Sequence, residues 1–120
     1  MVLYPVNPVS KPRQTQRDKW QKRPAVMRYR AFADECRLRK VELPESGAWV
    51  VFHIPMPASW SKMKRAMMKG KPHQQKPDFD NLIKALSDAI HKEDSGIWDC
   101  RVTKVWAEEG AIEIKEMGNG

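Results

Sequence analysis

The feature that most constrains the fold is an almost unbroken apolar run, Ala48–Ile54, bounded by Gly47 and Pro55. The run is rich in β-branched and aromatic side chains, which favour a strand, and Gly and Pro are typical strand boundaries. A strand that is apolar on both faces is usually central in a sheet that is covered on both sides. The run therefore predicts a sheet with other elements packed against it.

Weaker patterns predict the remaining elements of the chain. They comprise a strand within residues 1–6, a helix from Pro24 to about Lys40, a basic helix at 59–69 with Ser59 as N-cap, a helix from about Phe79 to His91, and strands at about 99–108 and 111–117 joined as a hairpin through Glu109-Gly110. At 120 residues the chain supports one modest core. We therefore expect one domain over residues 1–120, of the α/β or α+β class, with helices packed on a mixed sheet.

Charge is distributed unevenly along the chain, which has a formal net charge of +7. Residues 1–77 hold 17 Lys+Arg and 5 Asp+Glu, whereas residues 78–120 hold 5 and 10. A basic segment favours an anionic partner, most often nucleic acid; ordinary solubility charge is the alternative. The residues that we expect to contact DNA phosphates are Arg13, Arg17, Lys19, Lys22, Arg23, Arg28, Arg30 and Lys76.

Several protein classes are disfavoured by what the sequence lacks. Cys36 and Cys100 form no CxxC motif, and the three histidines complete no zinc pattern. The N-terminus has no signal-peptide pattern, and no segment approaches the roughly 20 apolar residues of a membrane span. We expect reduced thiols in a cytoplasmic protein that does not associate with membranes.

The segment from Asp78 to Ile90 is the most informative for function. It predicts a helix whose apolar stripe packs on the sheet, made of Phe79, Leu82, Ile83, Leu86 and Ile90. Asp80, Lys84 and Asp88, spaced four apart, stack on another face, and Asp78 lies at the helix start. Taken singly, these residues have ordinary explanations as an N-cap, a surface ion pair and a solvated carboxylate.

In combination, the same residues predict a metal-dependent hydrolytic site. Mg²⁺ prefers oxygen ligands and is usually held by one or two carboxylates plus water and phosphate. Asp78 and Asp80 supply two carboxylates, and Asp99, at the start of the following strand, could return to the same point. Metal ions held there would activate water for phosphodiester cleavage, and Lys84 would neutralise charge on the phosphate.

One family shares this pattern. The run Asp78-Phe79-Asp80-Asn81-Leu82-x-Lys84-x-x-x-Asp88-Ala89, followed by a Gly-containing turn and Trp98-Asp99-x-x-Val102, resembles the signature of the RusA family of Holliday junction resolvases. Residues 13–24 resemble an N-terminal element of many phage and prophage members, and the resemblance spans roughly residues 11–117.

The resemblance implies a homodimeric, cytoplasmic, Mg²⁺-dependent endonuclease. Such an enzyme places paired nicks across a four-way DNA junction during recombination and repair. By position, Asp78, Asp80 and Asp99 match the essential acidic residues of the family, and Lys84 matches its essential lysine. Asp88 matches a recurrent acidic position, to which we assign no catalytic role.

Trp98 departs from the family pattern, because many members have two adjacent aspartates there. Three carboxylates are enough for one Mg²⁺ and few for two, so the number of metal ions stays open. The departure also leaves open a DNA-binding module without activity. Two further alternatives are a nuclease for flaps or branched forks, and a small regulatory protein with a basic arm.

Aromatic, methionine and histidine side chains complete the predictions. Trp20 and Trp60 either stack on an unpaired base or, as we favour, pack into the core or a dimer interface. The methionines around the short helix, Met56, Met63, Met67 and Met68, are interpreted as core or interface residues. His73 is a candidate phosphate contact, and His53 is interpreted as a strand residue with a satisfied ring.

Overall fold

A computed structural model describes residues 2–12, 24–91 and 96–117. In chain order the elements are β1 (Val2–Tyr4), α1 (Pro24–Leu38), β2 (Ala48–Pro55), α2 (Lys62–Met68), α3 (Phe79–Ile90), β3 (Cys100–Ala107) and β4 (Ala111–Glu116). The four strands form one mixed sheet. The predicted α+β class and the predicted type of each element are therefore confirmed for this part of the chain.

The strand order is β1-β4-β2-β3, which places β2 inside the sheet. β2 pairs with β3 in parallel and with β4 in antiparallel, and β1 adds to the far edge of β4. The predicted hairpin of the last two strands is therefore wrong, because β2 lies between them. The link at 108–110 passes over the end of β2, where the Met56 N–H donates to the Ala107 carbonyl at 2.9 Å.

The core lies on one face of the sheet, beneath α1 and α3. Along β2 the side chains of Ala48, Val50, Phe52 and Ile54 alternate toward this face and are buried. Leu82, Ala85, Leu86 and Ala89 of α3 meet them, together with Phe32, Ala33 and Cys36 of α1. The apolar run at 48–54 thus forms an interior strand, as predicted, because both of its edges and its alternate side chains find partners.

The opposite face of the sheet is more polar. The indole of Trp49 lies between Arg101 and Lys115, with the two cationic groups 4.3 and 4.7 Å from its ring centre. Its Nε1–H donates to the Thr103 Oγ1 at 3.0 Å. His53 Nε2 lies 3.1 Å from Glu113 Oε1, which confirms the expectation that this ring has a hydrogen-bond partner.

The short helix α2 starts later than predicted. Its N-cap is Ser61, whose Oγ accepts a hydrogen bond from the Lys64 N–H at 3.2 Å, so Ser59 is not the cap. Met56 is buried, whereas Met63 and Met67 are 75% and 61% exposed and are not core residues. Trp60 packs against the core, with its ring 4.7 Å from that of Trp106.

Both cysteines are free thiols, as expected. Cys36 is fully buried, and this burial raises the pKa of its thiol to about 11. Within the described ranges, no helix is long and apolar enough to cross a membrane.

Candidate functional site

The start of α3 presents Asp78 and Asp80 to solvent. Asp78 has the extended backbone of an N-cap residue, and its carbonyl accepts a hydrogen bond from the Leu82 N–H at 3.1 Å. Its side chain makes no capping hydrogen bond, so the carboxylate is not used by the helix. Asp80 follows in the first turn and is also exposed. Both carboxylates lie where the helix dipole favours negative charge.

These two carboxylates line a groove of about 680 Å³, which we call the His73 groove. Its lining residues are His73, Gln74, Gln75, Lys76, Asp78, Phe79, Asp80 and Lys104. Phe79 is 56% exposed here, so the prediction that it belongs to the packed stripe is wrong. The stripe begins at Leu82 instead, because Phe79 is the first residue of the helix and lies beside the groove.

Lys104 of β3 holds the segment that leads into α3. Its Nζ donates to the carbonyls of Gln75 and Pro77, at 2.7 Å each. The His73 N–H in turn donates to the Lys104 carbonyl at 3.0 Å. The segment before α3 is thus attached to β3 at Lys104, and its start is attached at Trp106, whose backbone exchanges hydrogen bonds with Gly70 and Lys71.

A second groove, of about 600 Å³, lies on the other side of Asp78. Asn7, Ser10, Arg28, Lys76, Asp78 and Asn81 are among its lining residues. Lys76 and Asp78 therefore border both grooves, and Arg28 borders the second. Two of the predicted DNA contacts, Arg28 and Lys76, thus lie next to a predicted catalytic carboxylate, while Arg30 is exposed on α1.

Lys84 and Asp88 lie further along α3. Lys84 Nζ is 3.8 Å from Asp88 Oδ2, and Lys11 Nζ also bonds to this carboxylate. Asp88 is only 22% exposed, so it is not the solvated carboxylate that its position alone would suggest. It ties the N-terminal segment to α3, which suits a structural role, whereas Lys84 keeps a side chain that is 56% exposed.

Asp99 precedes β3 and contacts the start of β2. Its Oδ2 accepts a hydrogen bond from the Gly47 N–H at 3.1 Å. It is not among the residues that line the two grooves around Asp78. Among residues 2–12, 24–91 and 96–117, no three His, Cys, Asp or Glu side chains are grouped so as to hold a metal ion. The structure thus brings Asp78 and Asp80 together and does not add Asp99 to them.

The donor types at the groove nevertheless fit Mg²⁺. This ion is usually bound through one or two carboxylates and keeps several waters, which leaves positions for phosphate oxygens. Asp78 and Asp80 offer two exposed carboxylates, and that of Asp78 makes no capping hydrogen bond. Lys76 and Lys104 border the same groove and would face a bound phosphate.

His73 also lines this groove. The sequence predicted it as a candidate phosphate contact and did not predict that its ring is buried. His73 is 4% exposed, and its ring centre lies 4.3 Å from that of Trp106. Its Nδ1 is buried and has no hydrogen-bond partner among the residues that the structure describes. Burial, and then the positive charge of Lys104, lower the pKa of this imidazole below its ordinary value. No periodic pattern in the sequence predicts this burial, because His73 lies in an irregular connector.

Several predicted DNA contacts lie outside the described residues. These are Arg13, Arg17, Lys19, Lys22 and Arg23, together with the aromatic side chain of Trp20. Trp98, the departure from the expected acidic pair, is 77% exposed beside Asp99.

Comparison with known proteins gives a family match over nearly the whole chain. The family model described as Endodeoxyribonuclease RusA matches residues 5–116. A curated relative, "Uncharacterized protein YqaN" of Bacillus subtilis (strain 168), is 37% identical over 73 residues, which is 54% of this chain. The matched region covers 51% of the length of that relative. No solved structure matches the chain.

Proposed function

Since the chain belongs to the RusA family of endodeoxyribonucleases, we propose that it resolves four-way (Holliday) DNA junctions by paired, symmetric nicks that require Mg²⁺. The observation that supports this most directly is the start of α3. The Asp78 side chain is left unused by the helix, Asp80 is exposed in the first turn, and both border a groove with Lys76 and Lys104. Such an enzyme would act in DNA recombination and repair.

In this proposal, Asp78 and Asp80 are the principal metal ligands. A bound Mg²⁺ would supply an activated water and stabilise charge on the departing oxygen. Lys84, one helical turn beyond Asp80, neutralises charge that develops on the phosphate. Lys76, which borders both grooves, binds the phosphodiester beside the two carboxylates.

We propose Asp99 as a third functional carboxylate, from its position in the family pattern. The Gly47 N–H occupies Oδ2, and a carboxylate has a second oxygen that can accept or ligate. Joining Asp99 to the other two carboxylates requires a rearrangement or a contribution from a second subunit. A homodimer also suits the substrate, because two symmetric cuts require two identical sites related by a two-fold axis.

DNA binding is proposed to rest on phosphate contacts. Arg28 and Lys76 border the second groove, Arg30 is exposed on α1, and further basic residues precede Pro24. Contacts of this kind position DNA without reading its sequence, which suits recognition of a junction by its shape.

A second candidate function is junction binding without cleavage. It is favoured by the exposed Trp98 in place of an acidic residue, and by a described structure that groups two carboxylates rather than three. The intact pair at the start of α3 favours the enzyme.

The proposal is tested on a synthetic four-way DNA junction with and without Mg²⁺. The wild-type protein is compared with Asp80→Asn and with Asp34→Asn, an exposed aspartate of α1 that pairs with Arg37. We expect metal-dependent, paired nicks that persist in Asp34→Asn and disappear in Asp80→Asn. Tight binding by the wild type without cleavage, in Mg²⁺ or Mn²⁺, would establish the second function instead.

A further inference from the structure

The buried imidazole of His73 has an unexplained polar atom. Its Nδ1 is shut away from solvent and has no hydrogen-bond partner within residues 2–12, 24–91 and 96–117. Leaving a buried polar atom unpaired costs stability. A phenylalanine at this position would keep the aromatic contact with Trp106, which lies 4.3 Å away, without that cost. Packing alone therefore does not explain an imidazole here.

The surroundings of the ring favour one protonation form. Burial and the charge of Lys104 both lower the pKa of His73, so the ring is neutral near pH 7. A neutral imidazole has one N–H and one lone pair. An unpaired buried N–H is rarer than an unpaired acceptor, which favours the lone pair on Nδ1 and the proton on Nε2.

The position of the ring suggests which group accepts the hydrogen bond from Nε2. His73 lines the same groove as Asp78 and Asp80, and Lys76 and Lys104 stand beside it. We propose that His73 donates a hydrogen bond from Nε2 to a phosphate oxygen of the DNA strand bound in this groove, and so fixes the phosphodiester against the two carboxylates. The inference rests on the proposed function and adds a substrate-binding residue to it.

A cluster of tilted aromatic rings holds the imidazole in place. The Trp106 ring contacts both His73 and Trp60, with ring centres 4.3 and 4.7 Å away and interplanar angles of 56° and 54°, and Lys64 Nζ lies 4.2 Å from the ring centre of Trp60. A donor that is held in this way loses little freedom when DNA binds, which favours affinity and alignment.

The decisive variant is His73→Phe, which keeps an aromatic ring against Trp106 and removes both nitrogens. Because it also removes an unpaired buried atom, we expect its melting temperature to equal or exceed that of the wild type. We expect its single-turnover nicking rate on a four-way junction with Mg²⁺ to fall at least about tenfold, since a hydrogen bond to a charged group is worth about 1.5–3 kcal/mol. Its affinity for the junction in Ca²⁺ should weaken by a similar factor.

Two matched variants separate function from structure. His73→Gln places an amide N–H near the position of Nε2, and we expect it to recover part of the lost rate. His53→Phe breaks the contact of another histidine with Glu113, on the opposite face of the sheet. We expect it to lower the melting temperature while nicking stays at the wild-type rate.

The outcomes are distinct. Wild-type nicking and binding by His73→Phe would overturn the inference and leave the proposed function standing. A large fall in the melting temperature of both His73 variants would give the ring a structural role and would also overturn it. If the wild-type protein binds junctions without cutting them, the proposed enzyme is rejected, and weaker binding by His73→Phe still supports the phosphate contact.

Discussion

At the scale of single residues, two of the aspartates in the family pattern have structural partners, and a third, Asp78, is not used by the helix that it begins. Asp88 holds Lys11 and Lys84, and Asp99 accepts from Gly47. Asp78 has the backbone of a helix cap without the capping bond. The sequence predicted the three aspartates and Lys84 as a set, because their spacing matches one family. The sequence could not show which aspartates have partners, since a partner lies up to 77 residues away in the chain.

Replacing Asp78 with asparagine is expected to abolish cleavage without loss of stability. The side chain makes no capping bond, and asparagine is as good an N-cap as aspartate. The free energy of unfolding, from urea titration, should therefore change by less than about 0.5 kcal/mol, while metal-dependent nicking is lost. A substantial loss of stability together with retained nicking would show that Asp78 serves the helix and not the reaction.

Cys36 makes a specific prediction about alkaline stability. Burial raises the pKa of its thiol from 9.0 to about 11, so the folded protein holds this proton more tightly than the unfolded chain does. The stabilisation from this group is complete below pH 9 and is lost as the pH rises toward about 11. Tyr29, whose pKa is also raised, titrates in the same direction.

Cys36→Ala isolates the contribution of this thiol because it leaves Tyr29 in place. We expect the stability advantage of the wild type over the variant, measured by urea titration, to shrink between about pH 8 and about pH 10.5. A difference that stays constant with pH would show that the thiol does not titrate differently in the two states.

At the scale of elements, the sequence predicted best those segments whose apolar pattern is visible within the segment itself. Most of the apolar run of β2 is buried, and in the stripe of α3 Leu82 and Leu86 are buried while Ile83 and Ile90 are partly buried against the core. The hairpin of β3 and β4 was wrong, because a three-residue link is compatible both with direct pairing and with passage over another strand. Strand order depends on which edges of β2 are free, and no local residue encodes this.

Leu86 and Phe79, two apolar residues of α3, should contribute very different amounts to the free energy of unfolding. Leu86 is fully buried, so Leu86→Ala is expected to cost about 2–5 kcal/mol through lost burial and the cavity left behind. Phe79 is 56% exposed, so Phe79→Ala should cost less than about 1 kcal/mol. Thermal and urea unfolding of the two variants measure this difference, and equal losses would place Phe79 in the core.

At the scale of the whole molecule, charge and the position of the site act together. The chain has a net charge of +7, yet the proposed metal ligands are two aspartates, both of which line the His73 groove beside Lys76 and Lys104. Asp78 also lines the second groove, beside Arg28. The sequence predicted the opposition of basic and acidic halves. It did not predict that Lys104, from the acidic half, would hold the groove through carbonyl contacts at 2.7 Å.

Junction binding should weaken steeply with salt, because each phosphate contact releases a counterion. We expect Lys76→Gln to reduce the slope of log K against log[salt] by about one. Arg39→Gln, which removes a cation already paired with Glu35 on α1, should leave the slope nearly unchanged. Binding isotherms by fluorescence anisotropy at several salt concentrations measure both, and equal slopes for all three proteins would remove Lys76 from the DNA contacts.

The aromatic cluster behind the groove has an optical consequence. Trp106 contacts both His73 and Trp60, at 4.3 and 4.7 Å between ring centres. Indole emission depends on the polarity and motion of what surrounds the ring. A molecule that enters the His73 groove therefore alters the environment of a tryptophan that it never touches. We therefore expect occupancy of the groove to change the emission that Trp106 contributes to the spectrum of the five tryptophans.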